Sequence, residues 1–155
     1  MSMNFDFAAG SPIQESPNES SHVRKIRVIV QNLEKRSALA SELIDKYSPD
    51  VMLAQEINIY SETNLKSFLT SNVSSMGYGT AISSNEQITN IRKVFAPYEN
   101  AFFIKKKTII ARTKDIQFVS FHGYNGQPFK NVDKLVKHVE AVLSILTAGP
   151  TVFAG

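Results

Sequence analysis

The segment Ser48-Pro49-Asp50-Val51-Met52-Leu53-Ala54-Gln55-Glu56 constrains this chain more than any other. Pro49 fixes its own φ and bars Ser48 from ordinary helical geometry, so a preceding helix must stop there. Asp50 completes a turn, and four apolar residues follow before Gln55 and Glu56. An unbroken apolar run of this length between turn residues is the pattern of a strand buried on both faces. Glu56 then lies at the mouth of a buried strand. A carboxylate there is either the solvated end of the element or a group held by a partner or a metal.

The elements upstream organise around that strand. Arg24 to Val30 alternates charged and apolar residues before the Ile29-Val30 pair, which predicts a strand with Asn32 at its end. Glu34 to Tyr47 carries Leu39, Leu43, Ile44 and Tyr47 at helical spacing, which predicts a helix ending before Pro49. A strand, a helix and a strand in succession place the two strands close together and parallel.

Downstream the pattern loosens, then recovers. Asn64 to Leu69 suits a short helix, and Tyr78-Gly79-Thr80-Ala81-Ile82 a strand whose small residues allow close packing. Ile88 to Val94 is weakly apolar, a strand or an extended loop. Ala101 to Ile104, Thr108 to Arg112 and Ile116 to Phe121 read as strands, the last two joined as a hairpin across Thr113-Lys114-Asp115. Lys105-Lys106-Lys107 suits either contact with a phosphate backbone or protection of a strand edge. A loop, His122-Gly123-Tyr124-Asn125-Gly126-Gln127-Pro128, leads to a helix opening at Lys130 or Asn131. Its apolar face comprises Val132, Leu135, Val136, Val139, Val142, Leu143 and Leu146. Gly149-Pro150 ends it, and Thr151 to Ala154 begins another strand.

At 155 residues the chain suits one domain with a substantial core. Residues 1–22 are rich in Ser, Asn, Pro and Gly and lack periodicity, so they are expected to form a disordered tail, with the domain at 23–155. That tail holds three of the 14 acidic residues and none of the 17 basic ones, which leaves the remainder at +6. A basic body favours polyanionic partners such as nucleic acid or phosphorylated lipid. With no cysteine, disulfides and thiolate metal sites are excluded and a reducing compartment fits. No apolar run is long enough to span a membrane and no signal-like leader is seen, which leaves the location open and favours the cytoplasm.

Three polar residues stand where apolar strands turn into loops: Asn32, Glu56 and His122. Sites in α/β proteins gather where strand ends converge. An amide oxygen and a carboxylate are hard ligands suited to Mg²⁺ or Mn²⁺ rather than zinc. A histidine beside such an ion is suited to give a hydrogen bond or proton to a phosphate oxygen. Each residue also has a plainer reading. Asn32 suits the cap of the helix expected from Glu34, His122 an ordinary strand-end histidine, and the Gly-Tyr-Asn-Gly loop a simple turn. His138, at the flank of the apolar helix face, is taken as structural or solvated.

In combination these segments resemble the endonuclease/exonuclease/phosphatase superfamily typified by deoxyribonuclease I. The resemblance is carried by Val30-Gln31-Asn32-Leu33 and by Ser48 to Glu56. Gly79-Thr80-Ala81-Ile82-Ser83 is similar to that family's Gly-x-Ala-Ile-x-Ser strand. Val119-Ser120-Phe121-His122 is similar to the strand bearing its catalytic histidine, and Val152 to Gly155 resembles the approach to its Gly-Asp-x-Asn motif. The resemblance implies an α/β (α+β) fold, a four-layer α-β-β-α sandwich of the deoxyribonuclease I-like type, here truncated to roughly its first half. It implies Mg²⁺- or Mn²⁺-dependent phosphoester hydrolysis, with Glu56 a metal ligand and Asn32 helping to bind or position the metal. It implies that His122 binds the scissile phosphate or assists catalysis, and that Asn125 contacts phosphate.

Gly155 is the last residue, so the Asp and Asn of Gly-Asp-x-Asn and the distal Ser-Asp-His-type segment fall outside the sequence. The expectation is a nuclease-like phosphodiesterase represented by an inactive fragment, acting on nucleic acid or another phosphoester. Inositol-phosphate or sphingolipid phosphoesterase activity stands beside it within the family. A non-catalytic module binding nucleic acid or protein is the alternative of a different class. Half a sandwich would also leave one sheet face uncovered, inviting self-association.

Overall fold

The computed structural model describes residues 2–7, 24–58, 68–73, 78–95, 107–123 and 132–155. Strands β1 (Ser2–Phe7), β2 (Arg24–Asn32), β3 (Val51–Asn58), β4 (Phe68–Val73) and β5 (Tyr78–Ser84) form one sheet in the order β1-β2-β3-β5-β4. Strands β6 (Ile88–Phe95), β7 (Lys107–Thr113), β8 (Ile116–Phe121) and β9 (Thr151–Ala154) form a second in chain order. Helix α1 (Ala38–Tyr47) packs on the outside of the first sheet and α2 (Val132–Leu143) on the outside of the second. The architecture is the four-layer α-β-β-α sandwich.

The alternation along each strand explains the layers. Val51 and Leu53 of β3 face inward with Ile26, Val28 and Ile82, and meet Ile109, Ala111, Ile116, Phe118 and Val152 of the other sheet. Met52 and Ala54 face outward and join Ile29, Leu33, Ile57 and Ala81 beneath α1. Val119 and Phe121 of β8 face outward toward α2, with Ile110 and Val142. As the sequence pattern requires, β2 and β3 are parallel across the α1 crossover, and β7 and β8 form the antiparallel hairpin.

Four expectations are corrected. The chain supplies both sheets, so each inner face covers the other. The uncovered sheet face on which self-association was expected is filled by the protein's own core. Ser2–Phe7, inside the stretch expected to lack order, pairs antiparallel with β2 as an edge strand. Phe68 and Leu69 belong to β4 rather than to a helix, and residues 64–67 lie outside the described residues. Helix α1 starts at Ala38 instead of Glu34, because Glu34 and Lys35 adopt left-handed conformations with φ of 48° and 64°. The strand expected at Ala101–Ile104 also lies outside the described residues, as do Lys105 and Lys106. Among the described residues, no helix is long and apolar enough to cross a membrane.

Candidate functional site

The site begins with an irregularity in β3. Its ladder with β5 pairs Ala54 with Ala81 and then Ile57 with Gly79, so Gln55 and Glu56 together oppose Thr80. This is a β-bulge, and Glu56 sits in it with φ of 51°, a left-handed conformation unusual for a residue of its type. Strict alternation would point Glu56 the same way as Met52 and Ala54, into the apolar layer under α1. The bulge lets Ile57 take that place, fully buried, while Glu56 emerges at the rim. Backbone strain of this kind costs on the order of 1–3 kcal/mol and persists where its surroundings hold it.

Those surroundings are the loop after β2. Leu33, fully buried, donates its amide to the Gln55 carbonyl (2.9 Å), and the Lys35 amide donates to the Glu56 carbonyl (3.1 Å). The Ser37 hydroxyl bonds to both the amide and the carbonyl of Asn58 (2.9 and 3.2 Å), so it ties α1 to the end of β3 instead of capping its own helix. Asn32 accepts the Glu34 amide on its Oδ1 (2.9 Å) and turns its Nδ2 toward Glu56 Oε1 (3.4 Å). Asn32 therefore does not cap α1, which starts at Ala38; its side chain closes a local turn on Glu34 and faces Glu56 as well.

His122 arrives from the opposite sheet. Along β8, Ile116, Phe118 and Ser120 face the inter-sheet space, and His122 follows in the same phase just past the strand end. Its Nε2 lies 3.5 Å from Glu56 Oε1, with the two side chains 14% and 25% exposed. The structure thus brings Asn32, Glu56 and His122 to one rim, from two sheets. Asn125 lies outside the described residues.

Behind the rim stands His138, fully buried on α2. Its Nε2 is 3.2 Å from Thr108 Oγ1 and its ring is 4.7 Å from that of Phe121. Its Nδ1 has no hydrogen-bond partner. Burial, and then the neighbouring His122, push its pKa down to about 4, so it is a neutral core residue at pH 7. Gly155 packs against the β8 end: a Cβ there would fall 1.8 Å from the Phe121 carbonyl oxygen, which accounts for glycine at that position.

The donor set suits a hard divalent cation. The Glu56 carboxylate is the oxygen donor that faces the rim, of the kind Mg²⁺ binds while keeping several waters, whereas the Asn32 Oδ1 is engaged by the Glu34 amide and the Asn32 Nδ2 is the atom turned to Glu56. Among the described residues no three His, Cys, Asp or Glu side chains gather where they could hold a metal ion.

Two sheets face to face, helices outside and a polar cluster at the strand ends define a deoxyribonuclease I-like sandwich. The sequence model of the Endonuclease/Exonuclease/phosphatase family matches residues 30–155, and the chain belongs to that family. No curated protein matches the chain. Among solved structures it is similar to an endonuclease/exonuclease/phosphatase family protein from Leptotrichia buccalis (TM-score 0.55, 14% identity), over 83% of this chain and 66% of that one. It is also similar to the endonuclease domain of TRAS1, a telomere-specific non-LTR retrotransposon (TM-score 0.51, 16% identity), over 83% of this chain and 57% of that domain. The chain therefore spans just under two thirds of the first of these structures and little more than half of the second.

Sequence reasoning missed the bulge and three buried polar residues under the rim: Gln55, Thr80 and Asn72. A usable signal was present for Gln55. It lies in phase with the inward-facing Val51 and Leu53, just as Ser120 lies in phase with Ile116 and Phe118, so a polar residue replaces an apolar one on each facing strand.

Proposed function

We propose that the rim of Asn32, Glu56 and His122 is the ion- and phosphate-binding part of a phosphoester hydrolase site acting on nucleic acid. The observation that carries the reading is the 3.5 Å approach of Glu56 to His122 across two sheets, with Asn32 on the same carboxylate oxygen. Glu56 is the Mg²⁺ or Mn²⁺ ligand, and Asn32 holds its carboxylate or shares the ion. His122, set beside that carboxylate, donates a hydrogen bond or proton to a phosphate oxygen. A divalent ion here would stabilise charge developing on the phosphoryl and leaving oxygens. Nucleic acid as substrate class is supported by the basic body and by the likeness to a domain described as an endonuclease.

The rim offers one carboxylate and one imidazole, set against each other, and among the described residues no third acidic or imidazole group joins them to prepare a water. Residues 1–155 by themselves are expected to bind without turnover, since groups that act as a unit lose nearly all rate when incomplete. The test is binding of a labelled DNA duplex to the chain, with and without Mg²⁺, alongside a hydrolysis assay. Mg²⁺-enhanced binding that is lost in Glu56→Gln, without cleavage, is the expected result. Binding indifferent to both Mg²⁺ and Glu56→Gln would overturn the reading in favour of a non-catalytic module, and cleavage lost in Glu56→Ala would overturn the expected inactivity.

A further inference from the structure

Most of the inter-sheet core is apolar, but the row beside the rim is polar across three strands of the first sheet. On the first sheet Gln55, Thr80 and Asn72 lie side by side on β3, β5 and β4, all facing inward and each no more than 2% exposed. Ser120 on β8, fully buried, faces them from the second sheet. Gln55 donates its Nε2 to Ser120 Oγ (3.1 Å), and the Ser120 hydroxyl donates to the Ala54 carbonyl (3.0 Å). Asn72 donates its Nδ2 to the carbonyls of Val94 and Thr108 on β6 and β7 (3.1 and 3.0 Å). The Thr80 hydroxyl, opposite the bulge, has no partner.

The position of this row in the chain is what gives it meaning. Ser120 precedes His122 by two residues, and Ala54 and Gln55 immediately precede Glu56. Apolar layers set the spacing of two sheets but are non-directional and tolerate sliding, whereas a closed relay of directional hydrogen bonds fixes register. The relay lies at the one place where register between the sheets decides whether Glu56 and His122 meet.

We propose that Gln55 and Ser120 are positioning residues: their relay across the sheets to the Ala54 carbonyl holds the Glu56 bulge and His122 within reach of each other. Its functional weight rests on the phosphoesterase reading of the same rim, but its structural content does not. Neither side chain touches the bound species. They act by keeping the two halves of the site from drifting apart.

The test is an NMR measurement on the whole chain without metal, reading the cross-relaxation peak between the Glu56 γ-methylene and the His122 ring. Wild type shows the peak. Ser120→Ala, which removes the relay's central hydroxyl, and Gln55→Leu, an apolar replacement of comparable volume, each weaken it several-fold. Val119→Ala removes buried volume from the opposite face of the same strand and leaves the peak intact. If Ser120→Ala fails to fold, Gln55→Leu, which opens no cavity, decides the matter alone. A missing peak in wild type, or an unchanged peak in folded Gln55→Leu, overturns the proposal. Mn²⁺ affinity read by electron paramagnetic resonance separates it from the functional reading. If both variants lose the peak and wild type fails to bind Mn²⁺, the relay stands and the phosphoesterase reading falls.

Discussion

Acidification should weaken this fold through His138. The imidazole is fully buried, its Nε2 meets Thr108 Oγ1, its Nδ1 has no partner, and the Phe121 ring packs against it. Its pKa falls from 6.5 to about 4 on folding, burial being the larger cause. Because the folded value lies below the unfolded one, the unfolded chain binds more protons between these limits. Stability is therefore fully present above pH 6.5 and lost as the pH falls toward 4. Integrated from pH 7 to pH 5, this single group removes about 2 kcal/mol, which corresponds to roughly 4–8 °C in melting temperature for a chain of this size. Urea unfolding followed by circular dichroism at pH 7, 6 and 5 measures the loss directly. His138→Gln keeps a polar atom near the Nε2 position but cannot titrate, so its stability should fall by about 2 kcal/mol less over the same range. An equal pH dependence in wild type and variant would refute the assignment, whatever the variant's stability at pH 7.

Further consequences follow from the site and its floor. Glu56→Gly relieves the left-handed strain at the bulge, so it should preserve stability or raise it by up to about 1 kcal/mol while abolishing divalent-ion binding; thermal melts with and without Mn²⁺ check both halves. Asn72→Ala strands two buried carbonyls between β4 and the second sheet and should cost about 2–3 kcal/mol, seen in urea unfolding, with the Glu56–His122 contact at the rim retained. Phe118→Ala, which empties a fully buried position at the centre of the inter-sheet core, should cost about 3–5 kcal/mol and bring the chain close to its stability limit at room temperature.

Where burial was written as apolar residues, the sequence revealed the structure. Val51 to Ala54 and Ile116 to Phe121 could hardly be anything but central strands, and Pro49 placed the end of α1. Legibility failed where polar side chains took buried roles. Strand β4 was invisible because its inward positions are the polar Thr70 and Asn72, the latter held by hydrogen bonds across the sandwich rather than by hydrophobicity. The start of α1 was misjudged because Asn32 captures the Glu34 amide and two left-handed residues delay the helix. Strand β1 was hidden by the Ser-, Asn- and Pro-rich sequence that follows it, although Met3, Phe5 and Phe7 alternate with polar residues as in a strand. The three strand ends that meet at the rim were legible. The bulge that turns Glu56 from the α1 layer to the rim was not, because bulges leave no composition signal.

The central claim is that Glu56, with Asn32 and His122 beside it, forms a divalent-ion site. Electron paramagnetic resonance titration of the chain with Mn²⁺ tests it most directly. The account predicts a bound fraction that Mg²⁺ displaces, that disappears in Glu56→Gln and that persists in His122→Ala. Mn²⁺ binding of equal strength in wild type and Glu56→Gln would contradict it.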